Sequence, residues 1–290
     1  TTENPVNMRP EESFNYEAGT KMNLFKNKVN TQITYFSNNL QNYYSAGRNE
    51  AFESLGKVSI NGVEMAMQFN FDQLFKSDKQ SLTFGISGSY MNSRILEGRL
   101  RDSDLLKEKH TDATKQELID KINAERNGFD VYYTSSTGGD SLVSQSSFAV
   151  TDFSSIRRID MVFGENGIAN NAVPYVPQLL FNFNLSYTLK GLTVSGNLNY
   201  VSSQYTAYLN MNNDTAEGAA GKLDAFKTID ASVSYSFEAC KKRCMKGLTI
   251  FVSGKNLTDE IYKASRLHRL SSGIMPGGFR QINGGVRFVF

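Results

Sequence analysis

This 290-residue sequence predicts an all-β fold, a transmembrane antiparallel β-barrel present in part, with about nine strands, long loops at one end and short turns at the other. Three observations carry that expectation. Apolar and polar residues alternate along most of the chain, the alternating runs are long, and the connections between them alternate between short and long. A period of two is the mark of a strand with unlike environments on its two sides.

The alternation is clearest at the carboxyl end. In Asn283-Gly284-Gly285-Val286-Arg287-Phe288-Val289-Phe290, one face carries Gly284, Val286, Phe288 and Phe290, and the other carries Asn283, Gly285 and Arg287. The pattern is similar to the assembly signal of bacterial outer-membrane barrels, with Asn283, Gly285, Phe288 and Phe290 as its elements. Earlier runs repeat the rhythm. Val63, Met65, Met67, Phe69 and Phe71 oppose Glu64, Ala66, Gln68 and Asn70, and Leu82, Phe84, Ile86, Gly88 and Tyr90 oppose Thr83, Gly85, Ser87 and Ser89. Leu179, Phe181, Phe183, Leu185 and Tyr187 alternate with Leu180, Asn182, Asn184, Ser186 and Thr188. Leu192, Val194, Gly196, Leu198 and Tyr200 oppose Thr193, Ser195, Asn197 and Asn199, and Ala231, Val233, Tyr235 and Phe237 oppose Asp230, Ser232, Ser234 and Ser236.

A soluble sandwich shows the same rhythm, so length and polar-face chemistry have to decide. Ordinary strands run about five or six residues, and a tilted membrane-spanning strand needs about 9 to 11. The expected strands are roughly 13–22, 28–44, 57–71, 80–96, 176–189, 191–205, 224–238, 247–262 and 279–290. Their polar faces are Asn, Ser, Thr and Gln, which suit a wet lumen. Tyr187, Tyr235, Phe237, Phe288 and Phe290 gather toward one end, as an interfacial girdle requires.

Turns divide the runs. Leu24 to Lys28, Thr188 to Gly191 and Cys240 to Gly247 read as short connections. Ala46 to Gly56, Glu97 to Val173, Thr206 to Leu223 and Lys263 to Gly277 read as long ones. Short periplasmic turns alternating with long extracellular loops are the pattern of outer-membrane barrels. An odd strand count cannot close such a barrel, and open edges in lipid leave backbone groups unsatisfied, so the chain is expected to be part of a larger barrel.

Composition excludes other classes. No run approaches the 18 apolar residues of a spanning helix, and a barrel predicts that absence, since half of each strand is polar. The formal net charge of +2 with scattered basic residues gives no footing for nucleic acid. No nucleophile elbow, phosphate-cradling loop or paired metal-binding histidines appear, so no catalytic residue, cofactor or metal site is expected. Cys240 and Cys244 in Cys-Lys-Lys-Arg-Cys are read as a local disulfide or two idle thiols, because two thiols without nearby His make an incomplete zinc site. His110 and His268 lack ligand spacing. Thr1-Thr2-Glu3-Asn4-Pro5 is not a signal peptide, so a longer precursor or a processed chain is expected.

Four segments carry a family resemblance. Pro10-Glu11-Glu12-Ser13-Phe14-Asn15-Tyr16-Glu17-Ala18-Gly19-Thr20-Lys21, Gly56-Lys57-Val58-Ser59-Ile60-Asn61-Gly62-Val63-Glu64, Lys255-Asn256-Leu257-Thr258-Asp259-Glu260-Ile261-Tyr262 and Pro276-Gly277-Gly278-Phe279-Arg280-Gln281 stand in that order. Together they resemble segments of the barrel of TonB-dependent outer-membrane receptors. Val173 to Pro177 and Gly273 to Gly277 are similar to the ferric-citrate and siderophore branch.

The resemblance implies a barrel of 22 strands around an N-terminal plug, of which residues 1–290 would form the C-terminal portion, strands 14 to 22. Signal peptide, plug and first strands would then lie outside the chain. It also implies the TonB complex, an iron chelate or similar small ligand, the barrel-assembly machinery and outer-membrane lipid as partners, and the bacterial outer membrane as the location.

On that reading Glu17 and Glu64 face the lumen, toward the plug or a cross-strand partner such as Lys21. Arg157, Arg158, Arg266, Arg269 and Arg280 are candidates for an anionic chelate, because guanidinium matches carboxylate in a two-point contact. Tyr205 and Tyr208 flank a loop mouth and offer apolar area with a hydrogen bond. Loop solvation, lipopolysaccharide phosphate and, for Arg280, pinning of the last loop are the bland readings of the arginines. In the largest loop, Thr114 to Glu117 reads as a capping box opening a short helix near 115–127, either a lid or a rim ornament. Energised chelate uptake, a passive channel or adhesin, and an outer-membrane enzyme are the functions weighed; for the last, no Ser, His and acid cluster assembles.

Overall fold

The computed structural model describes residues 9–45, 53–71, 80–101, 106, 109–134, 139–142, 149–237, 247–266 and 273–289. Nine strands pair antiparallel in chain order: β1 (Glu12–Leu24), β2 (Val29–Ser45), β3 (Glu53–Asn70), β4 (Gln80–Arg101), β5 (Leu179–Leu189), β6 (Leu192–Val201), β7 (Phe226–Phe237), β8 (Gly247–Lys255) and β9 (Gln281–Val289). β1 and β9 are the edges of this curved sheet, a sector of a barrel wall.

The register sorts the wall into two faces, because directly paired residues in an antiparallel sheet share a side. Phe84 pairs with Leu185 and Ile86 with Phe183, while Leu185 faces Gly196 and Phe183 faces Leu198. The same face continues through Val194, Val233, Val252 and Gly284. It is mainly apolar, with Thr20, Thr31 and Lys227 as polar members, and open to the surroundings, with Val252, Val286 and Phe288 all more than half exposed. The opposite face carries side-chain hydrogen bonds from strand to strand. Asn182 donates to Asn197 and Asn199 at 2.8 and 2.6 Å, Asn199 donates to Thr228 at 3.4 Å, and the Ser195 and Ser232 hydroxyls meet at 2.7 Å. Two grooves of about 430 and 450 Å³ run along this polar face, lined by Gln32, Glu64, Ser87, Asn182 and Asn184 among others, so it is the concave one.

At one level the pattern changes phase. In β2, β3 and β4, Tyr35, Val63 and Tyr90 form the last apolar row of the convex face, and the next row beyond is Ser37, Asn61 and Asn92, whereas β1 keeps Tyr16 and Phe14 on that face. There the Ser37 hydroxyl donates to Asn61 at 2.7 Å, and the Asn61 amide to Ser59 at 3.1 Å. The concave face switches the other way, from Thr34, Glu64 and Ser89 to Leu40, Val58 and Ile95. Tyr187 lies eight residues along β5 from Leu179, the partner of Tyr90. At about 3.3 Å per residue and a tilt near 40°, the apolar band between these aromatic rows is about 20 Å high, close to that of an outer-membrane barrel.

Beyond the switch, β3 and β4 carry a cap. β4 continues into a small sheet with the strands Ile156–Phe163, Phe129–Thr134 and Asp140–Leu142. Leu100, Phe129, Val131, Ile159, Met161 and Phe163 share one face of it and pack with Leu55, Val58, Ile95, Leu118, Ile122, Leu209 and Met211. Because Val58 and Ile95 belong to the concave face, the cap core sits on the lumen side of the wall. A bulge between Lys57 and Val58 admits the extra residue Leu96, and Gly56 and Gly98 meet there at φ of 107° and 147°. A side chain on Gly98 would overlap the Leu55 carbonyl, so only glycine fits this crossing.

Several expected boundaries move, and β4 runs on to Arg101, past the expected end at 96. The 46–56 connection shortens to residues 46–52, because β2 and β3 pair as far as Ser45 and Glu53. The strand expected over 247–262 stops at Lys255, since Asn256 and Asp259 take φ of 48° and 54° and turn the chain. The strand expected over 191–205 ends at Val201, followed by a separate two-residue strand, Gln204–Tyr205. The expected helix is Asp112–Ala124, with Thr111 as its N-cap, accepting from the Thr114 amide at 3.2 Å. Thr114 is fully buried in the first turn and Glu117 reaches another loop, so the Thr114–Glu117 capping box does not form.

Candidate functional site

The extracellular end is the candidate ligand-binding region, and three loops build it. The 202–225 loop is the hub. Asn171 donates to the Tyr208 carbonyl at 2.9 Å, and the Asn210 side chain accepts from the Ala172 amide at 2.7 Å while donating to its carbonyl at 3.0 Å. Glu117 on the helix accepts from the backbone and side-chain amides of Asn212 and Asn213, four contacts between 2.7 and 3.2 Å. Lys109 pairs with Glu217 at 2.8 Å, and this contact raises the Lys109 pKa. The helix is thus clamped into the cap, with Leu118 and Ile122 buried.

On its other flank the hub holds the last loop. Asp214 pairs with both Lys263 and Arg266. Arg266 has no exposed side-chain surface and donates to the carbonyls of Gly218 and Lys222 at 2.6 and 3.1 Å. The Tyr175 hydroxyl donates to the Arg266 carbonyl at 2.9 Å, and burial raises its pKa. Arg266, expected at the ligand, is a brace between loops.

The last two family-like segments form one unit. The Asn256 side chain accepts from the Glu260 amide at 3.0 Å and donates to the carbonyls of Glu260 and Gly278 at 2.9 and 2.8 Å. Asp259 accepts from the Arg280 amide at 3.1 Å and pairs with its guanidinium at 3.5 Å. Tyr262 stacks on Phe226 with centroids 3.9 Å apart, and its ring fills the space that a Gly277 side chain would need. The half-exposed Arg280 guanidinium thus lies against Asp259.

The other expected residues fall in separate places. Arg158 lies over the Tyr132 ring at 3.7 Å and pairs with Asp160, on the cap face opposite the core, and Arg157 is exposed at the adjoining bulge. Tyr205 donates to Asn212 at 3.4 Å beneath the Lys222 ammonium, whereas Tyr208 packs against the cap core. Glu17 and Glu64 lie on the concave face, paired in register with Phe36 and Ser89. In β9, Asn283 and Gly285 are concave, Gly285 beneath the Phe251 ring, and Phe288 is convex. His110 meets Thr114 at 3.3 Å and the Phe153 ring. Arg269, His268, Cys240, Cys244 and Phe290 lie outside the described residues. Sequence reasoning missed the hub residues Asn210, Asp214 and Glu117, whose partners are far away along the chain.

An apolar convex band, a polar concave face and a loop cap on the lumen side define one sector of a membrane-spanning β-barrel. Residues 1–257 match the family "TonB dependent receptor-like, beta-barrel", and the chain belongs to that family of bacterial outer-membrane proteins. No curated protein matches the chain. Among solved structures, it is similar to the ferric citrate transporter FecA in unliganded form, at 17% identity over 97% of this chain and 32% of that one, with a TM-score of 0.61. It is also similar to the ferric-catecholate import receptor Fiu from E. coli K12 (14%, 98% and 29%, 0.54). The siderophore receptor PiuA from Acinetobacter baumannii is a third (16%, 96% and 28%, 0.51). The chain spans 28 to 32% of the length of these three structures.

Proposed function

We propose that the whole protein takes up an iron–siderophore or related metal chelate across the outer membrane, driven by the TonB complex. Residues 1–290 supply the C-terminal sector of its barrel. The observation that carries this reading is the cap: loops clamped together on the lumen side, above a wall lined with amides and hydroxyls. Such a mouth can hold a ligand by convergence of several loops.

Tyr205, with Lys222 over its ring, is the vestibule contact we favour. Arg158, Arg266 and Arg280 each have a carboxylate partner and act as loop braces. Glu17 and Glu64 face the space that a plug would fill and are placed to accept hydrogen bonds from its backbone. Phe288 and Phe290 serve recognition by the barrel-assembly machinery.

Uptake of labelled ferric chelates by cells carrying the full-length receptor, with and without TonB, tests the reading. Uptake that depends on TonB supports it. Uptake unchanged without TonB makes the protein a passive channel. Strong binding of a neutral oligosaccharide, with none for any iron chelate, replaces the substrate class.

A further inference from the structure

The two grooves on the concave face are parts of one trough. Both are lined by Gln32, Ala66 and Ser87, so they meet at that row. The upper groove reaches Asn199 and Val201, where β6 ends at the loops. The lower one reaches Asn23 and Asn30, beside the short turn between β1 and β2. The trough therefore runs the height of the wall, and each part, at about 430 and 450 Å³, has the size of a small-molecule site.

Its two flanks differ. Glu64 and Lys21 stand on the β1–β3 side. On the other side, the concave faces of β4 from Ser81 to Ser93 and of β5 from Leu180 to Thr188 carry no charged residue. The polar groups there and on β6 are turned to one another. Asn182 donates to Asn197 and Asn199, and Asn197 donates to Asn199 at 3.0 Å. A passing group must compete with bonds that the wall already makes, so each contact is weak and exchangeable.

The floor of the trough is also kept flat. A side chain on Gly85 would meet the end of the Asn184 side chain at 2.5 to 2.9 Å, so Asn184 lies over bare backbone instead of standing out from the wall. Thr34 lies against Gly19, and the Phe36 ring against Gly62, in the same manner.

We propose that this trough is the route of the transported chelate past this sector of the barrel, and that Gly85 keeps it open by letting Asn184 lie flat. Passage along it presupposes the uptake proposed above and adds a track for the ligand below the mouth. A compact chelate with oxygen and amide groups on its rim can exchange hydrogen bonds from one row of amides and hydroxyls to the next. No charge on the β4–β5 side holds it in place. Substitutions in the trough should therefore change the rate of passage and leave capture at the mouth alone.

The test uses cells carrying the full-length receptor, with radioiron bound to citrate or to a catecholate as the probe. Binding to energy-depleted cells and uptake by energised cells are measured at matched surface levels of receptor. Asn184→Arg, which puts a long charged side chain into the trough, should slow uptake about tenfold and leave the binding constant unchanged. Ser232→Arg, concave but on β7 outside the trough, should leave uptake near the wild-type rate. Gly85→Ala should slow uptake several-fold by pushing Asn184 off the wall. Adding Asn184→Ala to it should restore the rate, because the new methyl group then lies where the amide lay. Gly196→Ala, convex with nothing nearer than 3.9 Å, is the control that should change nothing. Asn184→Arg carries the test if Gly85→Ala does not assemble. Normal uptake in Asn184→Arg, or an equal loss in Ser232→Arg, overturns the route while the uptake reading stands. A slow Gly85→Ala receptor that Asn184→Ala fails to rescue overturns the role of Gly85. Wild-type cells that take up neither probe in a TonB-dependent manner overturn the uptake reading itself, and the route with it.

Discussion

The wall and the cap are made from the same strands and hold together in opposite ways. Below the row of Tyr35, Val63 and Tyr90, the wall has large apolar groups on its convex face and none of the buried apolar core. Its order comes from backbone pairing and amide ladders, and its apolar face needs lipid. Above that row, β3 and β4 reverse their faces, and Val58, Ile95 and Leu100 enter a core like that of a soluble domain. A strand serves two solvents by shifting the phase of its alternation once. Burial in the wall is supplied from outside the chain, whereas burial in the cap is internal, so the two regions should fail independently.

The largest effect that can break this contrast lies in the cap core. Phe129 is 2% exposed and packs between the cap sheet and its surroundings. Phe129→Ala should cost the cap about 3 to 5 kcal/mol. Hydrogen exchange should speed up in Phe129–Thr134, Ile156–Phe163 and the helix, while β5 to β8 exchange as before. Loss of protection in the wall as well would show that the two regions fold as one.

Next in size is a change in the wall. Phe183 lies midway in the apolar band and meets Phe84 edge-on, with centroids 4.7 Å apart. Phe183→Arg should destabilise the barrel in a bilayer by about 2 to 4 kcal/mol. Asn184→Arg, one residue on but concave, should cost far less. Equal losses for the two, in urea unfolding from liposomes, would mean that the faces are not lipid and lumen.

A smaller effect separates the braces from the core. Asp214→Asn leaves the buried Arg266 guanidinium with its carbonyl partners and no charge partner. Because Asp214 is itself 36% exposed, water can enter, and the cost should be about 1 to 3 kcal/mol. It should fall on the last loop alone, read as faster exchange at Lys263–Arg266 and Ile274–Pro276. The core around Leu118 should keep its protection.

The strands were legible because a period of two over ten or more residues is a strong local signal, and the nine expected runs correspond to the nine wall strands. Their ends were less so: nothing in the alternation of 247–262 reveals that Asn256 leaves the strand to spend its whole side chain on Glu260 and Gly278. The phase change was present in the step from Val63 to Asn61, but reading it needs the neighbouring strands in register. The cap strands are short and buried on one side only, which local patterning does not distinguish from loop. The partners of the arginines were invisible, since Arg266 and Asp214 are 52 residues apart and Arg280 and Asp259 are 21 apart. Charge in a loop suggested a ligand; the fold shows that a carboxylate within the chain often comes first.

The smallest expected effect sharpens the contrast most finely, because it removes one oxygen from the cap and leaves its packing alone. Glu117 accepts four hydrogen bonds, two at each carboxylate oxygen, from Asn212 and Asn213. Glu117→Gln keeps the shape but turns one acceptor into an amide that faces two donors. The backbone amides of Asn212 and Asn213 cannot both be served, and water can replace only part of the loss at this exposed site. The cost should be about 1 kcal/mol, set by the charge-assisted share of the contact. Exchange of the Asn212 and Asn213 amides should rise several-fold, with Leu118, Ile122 and the wall strands unchanged. If those two amides keep their protection, the hub is held by Asn210 and Asp214 alone. If the helix loses its protection too, the clamp and the core are one cooperative unit and the cap has no separable layers.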